Sequence, residues 1–392
     1  MYESIRRQIK ATSMIKHGVI SVGYGRHMFK SDNAERVRME LCAKETASFD
    51  MVIFTMKSDG LKTENNGLLT IHPTNSRFKL LMLFDAFLLG RRIIRTNKQS
   101  SIITTQDPFA AGLVGWLLAK LHRLQLVVQE HGDVFGAPYW RQESYGNQVW
   151  FKIGGFILKQ ANVVRVVARR VGEHVQTVGV VSEKITHLPV AIDLTQFKNV
   201  PKVKKDEETF TFITVARLVP QKNLVMLLQA FKTAWQNNPH TRLLIVGRGQ
   251  LQKELQNLIS QQYKNIDADN VPVVMEDWSD DVPALFAQAD AYVLSSDYEG
   301  WGRVLIEALV MGLPIVTTDV GCADEVIKHE QHGLIVPTRD EQALQSAIER
   351  LVTDTALQKT INNNLSELDP WSIPGTDLDS YGKQWVESLK VT

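Results

Sequence analysis

The sequence predicts an α/β protein made of two doubly wound parallel-sheet domains in tandem, and three observations carry that expectation. The chain has 392 residues, more than one core of ordinary size organises, so two domains of about 150 to 200 residues each are expected. From Gly18 onward short apolar runs of strand length alternate with longer stretches of helical period, and such alternation gives right-handed βαβ units around a parallel sheet. The alternation stops at a polar, charge-rich stretch, residues 198–208, and begins again at Phe210, which is how a linker between two similar folds reads.

In the first domain, expected over residues 1–197, a polar and basic lead precedes a buried strand at 18–23 and a loop at 24–32. Asn33 can cap the helix that follows. Strands are expected at 50–55, 101–105, 124–129, 163–167 and 187–190, with helices at 108–121, 149–160 and 169–178. Between 76 and 98 a helix carries Phe78, Leu80, Leu81, Leu83, Phe84, Phe87 and Leu88, followed by Arg91, Arg92 and Arg95. Cations there suit the negative end of the helix dipole. The apolar face reads first as packed on its own domain and second as a contact with an anionic membrane surface. The loop at 134–145, with Phe135, Tyr139, Trp140, Arg141 and Glu143, suits a sugar face or a lipid headgroup as well as a packed surface.

The second domain, expected over 209–369, opens with a strand at 210–215. Its first helix shows an apolar stripe at Leu224, Leu227, Leu228, Phe231 and Trp235. Further strands are expected at 242–246, 271–275, 291–294 and 314–317. After Pro370 the chain enters a final helix at 378–389. No internal repeat is evident.

Composition excludes several classes. No apolar run reaches the roughly 18 to 20 residues of a spanning helix. The first ten residues carry charges where a secretory signal needs its apolar region, so a cytoplasmic protein is expected, with peripheral attachment at the inner membrane face as its refinement. Cys42 and Cys322 fall in different predicted domains, which argues against a disulfide framework and a thiolate metal site. The net charge of +1 conceals a division: residues 1–200 hold 27 Lys and Arg against 16 acids, and the remainder 17 against 27. A basic half suggests an anionic partner, a lipid surface or a phosphate-linked acceptor, unless its helix faces are simply solvated. Nucleic acid is not expected.

The chemistry concentrates in the stretch from Ser295 to Pro314. It reads as strand end, glycine turn and buried helix, framed by Glu299 and Glu307. Gly300 and Gly302 let the backbone bend and approach a ligand. A helix start beyond them presents unpaired amides to an anion, most naturally a phosphate. Glu307 sits among Val304, Leu305, Ile306 and Leu309, where an acid is seldom buried without a partner. After the strand at 210–215, Arg217 and Lys222 offer a fork and a compact charge to a diphosphate. His131 stands at another strand end. Gly247-Arg-Gly249 lacks the third glycine of a dinucleotide fingerprint, with Gln252 in its place. Asp267-Ala-Asp269 reads as a solvated loop, and the Ser295-Ser296 pair lacks a hydrolase elbow.

Glu299 and Glu307, with seven residues between them and E-G-x-G at the start, resemble the signature of retaining glycosyltransferases of family four. Arg217-Leu-Val-Pro-Gln-Lys222-Asn resembles that family's phosphate-binding segment, and Pro189-Val-Ala-Ile-Asp193 its exit from the first domain, with Ala191 where glycine is common. The resemblance implies the GT-B fold, two Rossmann-like domains facing a central cleft, the first on the acceptor side and the second binding the nucleotide sugar, with the last helix returning to the first domain. It implies His131 and Glu299 against the donor sugar. Arg217, Lys222 and the turn amides of Gly302, Arg303, Val304 and Leu305 would hold the diphosphate, Glu307 the ribose, and residues 275–278 the base. No metal and no cofactor are implied beyond a nucleoside diphosphate sugar as co-substrate.

The implied reaction moves a hexose from a UDP- or GDP-linked donor to a hydroxyl of a glycan or lipid-linked acceptor, with retention, in synthesis of a cell-surface glycan or glycolipid. A non-catalytic glycan- or lipid-binding protein on the same fold is the alternative. So is a sugar phosphorylase or nucleotide-sugar epimerase. Gly23-Tyr-Gly25 departs from the paired glycines common in the family, leaving the role of the loop at 24–32 open.

Overall fold

The structure, a computed structural model, describes residues 17–31, 33–197, 200 and 208–390. The polar lead and most of the linker expected at 198–208 lie outside the described residues, as do Asp32 and the side chain of Asp269. Two α/β sheets organise the chain. The first has eight strands: β1 (Gly18–Gly23), β2 (Ser48–Ile53), β3 (Glu64–Asn66), β4 (Leu69–Pro73), β5 (Ser100–Thr105), β6 (Gln125–Glu130), β7 (Val163–Val166) and β8 (Ile185–His187). Their spatial order is β3-β4-β2-β1-β5-β6-β7-β8. All six residues of β1 are buried, as a parallel strand covered on both faces requires. β3 runs antiparallel to β4 at the edge.

The second sheet has six strands: β9 (Phe210–Val215), β10 (Thr241–Val246), β11 (Val273–Glu276), β12 (Ala291–Leu294), β13 (Ile315–Thr318) and β14 (Gly333–Val336). Their order is β11-β10-β9-β12-β13-β14, and every recorded pairing is parallel. The chain starts at the centre with β9, runs to one edge, returns to β12 and runs to the other. That doubly wound path puts a switch point between β9 and β12, where the outgoing loops separate and leave a crevice beyond the C-terminal strand ends.

By packing, the chain forms two compact units, one of Met1–Gln129 with Phe156–Arg165 and Asp379–Thr392, the other of Glu130–Gly155 with Val166–Leu378. Within the first, the final helix Leu378–Glu387 lies on the first sheet. Trp385 is buried and stacks on Phe49 of β2 at 5.2 Å. Arg165 Nη2 donates to the Tyr381 hydroxyl at 3.0 Å.

Three local expectations need correction. The strands β3, β4 and β14 are not expected from the sequence pattern, and they take strand form through pairing with β4, β2 and β13 respectively. The helix expected over 76–98 begins as a 3-10 turn, Lys79–Leu81, and continues as Met82–Thr96. The helix packs on its own domain through Ala86, Gly90 and Ile93, which are buried, but most of the expected apolar face is left uncovered: Leu83 and Phe87 are half-buried, and Phe78, Leu80, Leu81, Phe84 and Leu88 are exposed. Asn33 caps Ala34–Lys44 by accepting from the Glu35 amide at 3.0 Å. Among the described residues no helix is long and apolar enough to cross a membrane.

Candidate active site at the switch point of the second sheet

Because β9 and β12 are neighbours, the loops leaving them, 216–223 and 295–302, meet. They are fastened along their length. The Asp297 amide donates to Gln221 O at 2.9 Å, and Gln221 Nε2 donates to Tyr298 O at 2.8 Å. Asn223 Nδ2 donates to Asp297 Oδ1 at 2.8 Å, and the Ser295 hydroxyl to Lys222 O at 2.8 Å. This framework delivers Lys222 Nζ onto Glu299 Oε1 in a direct ion pair whose side chains are 12% and 10% exposed. The Ser296 hydroxyl donates to the same oxygen at 2.6 Å. Both partners fall on Oε1.

The turn beyond Glu299 depends on its glycines for two different reasons. A Cβ on Gly300 would lie 1.7 Å from the carbonyl oxygen of His131, so only glycine lets these segments touch. Gly302 has φ 82, the left-handed region, and is the N-cap of the helix Arg303–Val310 without a side-chain cap. Of the four amides expected to receive phosphate, that of Leu305 already donates to Gly302 O at 2.9 Å. Those of Gly302, Arg303 and Val304 remain at the positive end of the helix dipole. Glu307 lies one turn along the same helix, its side chain 12% exposed, with Arg303 Nη2 at 3.5 Å. Burial raises its pKa and Arg303 opposes the rise.

His131 follows β6 and is exposed. Its loop is pinned on both sides. Gly132 N donates to Glu130 Oε1 at 2.9 Å, and Asp133 Oδ1 meets His174 Nδ1 at 2.7 Å. The Asp133 bond raises the His174 pKa against the cost of burial. Arg217 is exposed at the end of β9, close enough to act on Tyr298. Burial pushes that phenol up to about 12, with Glu143, Glu299 and Asp297 adding to the shift and Arg217 opposing it. The structure thus gathers Lys222, Glu299, Gly302 and the His131 backbone, holds Glu307 beside Arg303, and leaves Arg217 on the rim.

Residues passed over in the sequence also belong here. Ser296 stands three positions before Glu299 at a strand end, close enough for its hydroxyl to turn back. Arg339 Nη2 lies 2.5 Å from Asp297 Oδ2 and its guanidinium 3.2 Å from the Tyr139 ring centre. Nothing in the motif spacing signals that last contact. Beside these groups a cavity of about 550 Å³ is lined by residues including Tyr139, Glu143, Gln221, Asn223, Tyr298 and Arg339. Gly247 and Gly249 serve packing: a Cβ on either would lie within 2.2 Å of the Ala216 or Leu218 carbonyl oxygen. Trp278 is 41% exposed and donates to Asp280 at 3.0 Å. Among the described residues no three His, Cys, Asp or Glu gather as a metal site would require.

Tandem doubly wound sheets with a lysine–carboxylate pair and a glycine-capped helix at a switch point define a two-domain α/β protein of the GT-B class. Solved structures agree. Anabaena Alr3699/HepE in complex with UDP superposes with a TM-score of 0.70 at 18% identity, over 95% of this chain and 99% of that one. Sucrose-phosphate synthase from Thermosynechococcus elongatus gives 0.73 at 18% identity, over 95% and 98%.

Two sequence families tile the chain. Glycosyltransferase Family 4 matches residues 34–196, and Glycosyl transferases group 1 matches residues 195–367. The chain therefore carries the paired domains of a GT-B glycosyltransferase. Among curated relatives, an Escherichia coli UDP-Gal:alpha-D-GlcNAc-diphosphoundecaprenol alpha-1,3-galactosyltransferase is 28% identical over 44% of this chain and 46% of its own length. A Mycolicibacterium smegmatis GDP-mannose-dependent alpha-(1-6)-phosphatidylinositol monomannoside mannosyltransferase is 27% identical over 72% and 74%. The chain spans less than half the length of the first curated relatives it matches, 46% and 40% for the first two.

Proposed function

We propose that this protein transfers a hexose from a UDP- or GDP-linked donor to a hydroxyl of a glycan or lipid-linked acceptor, with retention and without a metal. The observation that carries the reading is the buried Lys222–Glu299 pair with Ser296 on the same carboxylate oxygen. It fixes a cation and an acid a few ångströms apart, at the strand ends where such folds bind ligands. The names of the relatives support the substrate class, since they include galactosyl and mannosyl transfer to lipid-linked acceptors, as does the UDP bound by the Anabaena protein.

In this reading the bond between the anomeric carbon and the diphosphate oxygen breaks while one from that carbon to the acceptor oxygen forms. Lys222, Arg217 and the amides of Gly302, Arg303 and Val304 stabilise the charge on the departing diphosphate. A phosphate oxygen takes the acceptor proton, so no protein nucleophile is needed. Glu299 and His131 orient the sugar, Glu307 binds the ribose, and residues 275–278 border the base. The cavity beside Tyr298 and Tyr139 receives the acceptor. The reaction belongs in the cytoplasm, in synthesis of a cell-surface glycan.

The test is release of nucleoside diphosphate from UDP- and GDP-sugars with lipid-linked and free glycan acceptors, with the anomeric configuration of the product read by NMR and chelator present in parallel. Acceptor-dependent release with a retained anomer, unchanged by chelator, is expected. Donor binding without turnover would leave a binding protein. Phosphate-dependent or acceptor-independent turnover would point to a phosphorylase or an epimerase.

A further inference from the structure

The helix Arg169–Thr177 is tied to both loops that shape the candidate site, and every segment involved lies within the second compact unit. Its first turn docks on the segment after β13. Glu325, whose side chain is 6% exposed, accepts from the Arg169 amide at 2.7 Å and lies 3.5 Å from Arg169 Nε. Arg170 turns its fork onto Asp319, donating from Nη1 to the carbonyl oxygen and from Nη2 to Oδ1, with Asp324 Oδ1 3.3 Å from Nη2. His174, four residues on, shares that helix face. Its Nδ1 meets Asp133, and its ring packs on Gly136 so closely that a Cβ there would stand 1.9 Å from Nδ1.

Both tethered segments brace the turn that carries Glu299. The carbonyl of His131, two residues before Asp133, abuts Gly300. From the other tether, the Thr318 hydroxyl donates to Ser296 O at 2.7 Å and the Cys322 amide to Trp301 O at 2.9 Å. A Cβ on Gly321 would stand 2.7 Å from Trp301 O and 2.9 Å from Glu299 Cβ. Arg170 also bears electrostatically on Asp133, so one cation joins acids from both loops. The contacts close a circuit from the His131 loop through the helix to residues 319–325, on to the turn 299–302, and back through Gly300. A rigid helix inside such a circuit passes a shift at one end to the other.

We propose that Arg170 and His174 clasp the two loops as positioning residues, the first holding the turn of Glu299 and the second the loop of His131. This rests on the transfer reading, in which His131 and Glu299 orient the sugar. A pH dependence follows. The bond to Asp133 raises the His174 pKa against burial, with Glu173 adding to the rise and Arg170 opposing it. The imidazolium therefore grips Asp133 most firmly below the raised pKa, and above it only a neutral ring remains to donate.

The test has two arms, both on the full chain. Amide hydrogen exchange over 131–136 and 319–323 needs neither donor nor acceptor. Arg170→Ala should speed exchange in both stretches by about ten- to a hundredfold, the worth of a hydrogen bond to a charged group, and leave β9 and β10 unchanged. Arg170→Lys keeps the charge without the fork and should recover part of the protection. Unchanged exchange at 131–136 in Arg170→Ala, or equal acceleration throughout the sheet with no recovery in Arg170→Lys, overturns the proposal.

In the second arm, kcat of the wild type should fall about fivefold as pH rises past the ordinary histidine range, the difference between a charged and a neutral donor. His174→Asn sets an amide N–H in place of Nδ1–H and does not titrate. It should run at the alkaline wild-type rate across that range. A limb that survives unchanged in His174→Asn also overturns the proposal. A wild type that transfers nothing while the exchange effects hold counts against the transfer reading and leaves the clasp standing.

Discussion

The hydroxyl of Ser296 donates to Oε1 of Glu299 at 2.6 Å, on the oxygen that Lys222 also engages. A carboxylate held at one oxygen by a hydroxyl and an ammonium cannot rotate without breaking both. The serine is thus a positioning residue for the acid. Ser296→Ala should lower kcat about ten- to a hundredfold, the worth of one hydrogen bond to a charged group, with little change in donor KM. Ser296→Thr should restore most of it. Steady-state kinetics on folded protein decides, and unchanged kcat in the alanine variant sinks the assignment.

Lys222→Ala should remove activity and destabilise the protein by about 3 kcal/mol, because it leaves the Glu299 carboxylate buried without its cation. Adding Glu299→Gln should recover much of that stability and none of the turnover. Denaturant unfolding of the two single variants and the pair measures the coupling. Simple additivity of the losses would mean the pair is not the unit described.

Gly300→Ala drives a methyl into the His131 carbonyl, backbone against backbone. A loss of more than about 2 kcal/mol is expected, with inactivation. Gly312, at φ 72, provides the contrast, because a Cβ there would meet nothing within 4 Å. Alanine at that position should cost about 1 kcal/mol from backbone strain alone and leave turnover intact.

Asp107 is pushed up to about 6 by burial, although its carboxylate caps the Phe109 and Ala111 amides. An acid whose folded pKa exceeds its unfolded value stabilises most when protonated in both states. Its contribution falls as pH rises from about 4 to 6 and stays low above that. Asp107→Asn keeps an accepting oxygen without the charge. It should match the wild type near pH 4 and be more stable by about 2 kcal/mol at pH 7.5. Urea unfolding at the two pH values checks the sign.

Trp385→Ala removes the indole stacked on Phe49. A loss of about 3 to 5 kcal/mol is expected for a buried tryptophan. A small effect in denaturant unfolding would show that the final helix contributes little to the first sheet.

Much of the site is legible in the order of residues. Glu299, Gly302 and Glu307 can be read because an apolar strand, a glycine turn and an apolar helix follow each other without interruption, so each residue's place along the backbone is set by near neighbours. Lys222 can be read as a cation after a strand. Its partner cannot, because Glu299 is 77 positions away and the contact exists only where β9 and β12 adjoin. Ser296 belongs to no hydrolase motif, and its task of holding an acid has no spacing signature of its own. The exposed stripe from Leu80 to Leu88 is visible as apolar, but whether it packs depends on which flank of the helix the sheet covers.

What the sequence determined by itself is therefore local: the alternation of strands and helices, the two-domain organisation, the glycine bend that opens the helix after Glu299, and the uneven charge. These follow from side-chain period, backbone freedom and composition, which need no distant partner. The tertiary structure decided which strand ends share a crevice, which oxygen of Glu299 is occupied and which face of a helix meets solvent. Each depends on segments far apart in the chain brought within a few ångströms, and no spacing rule along one strand or helix contains that information.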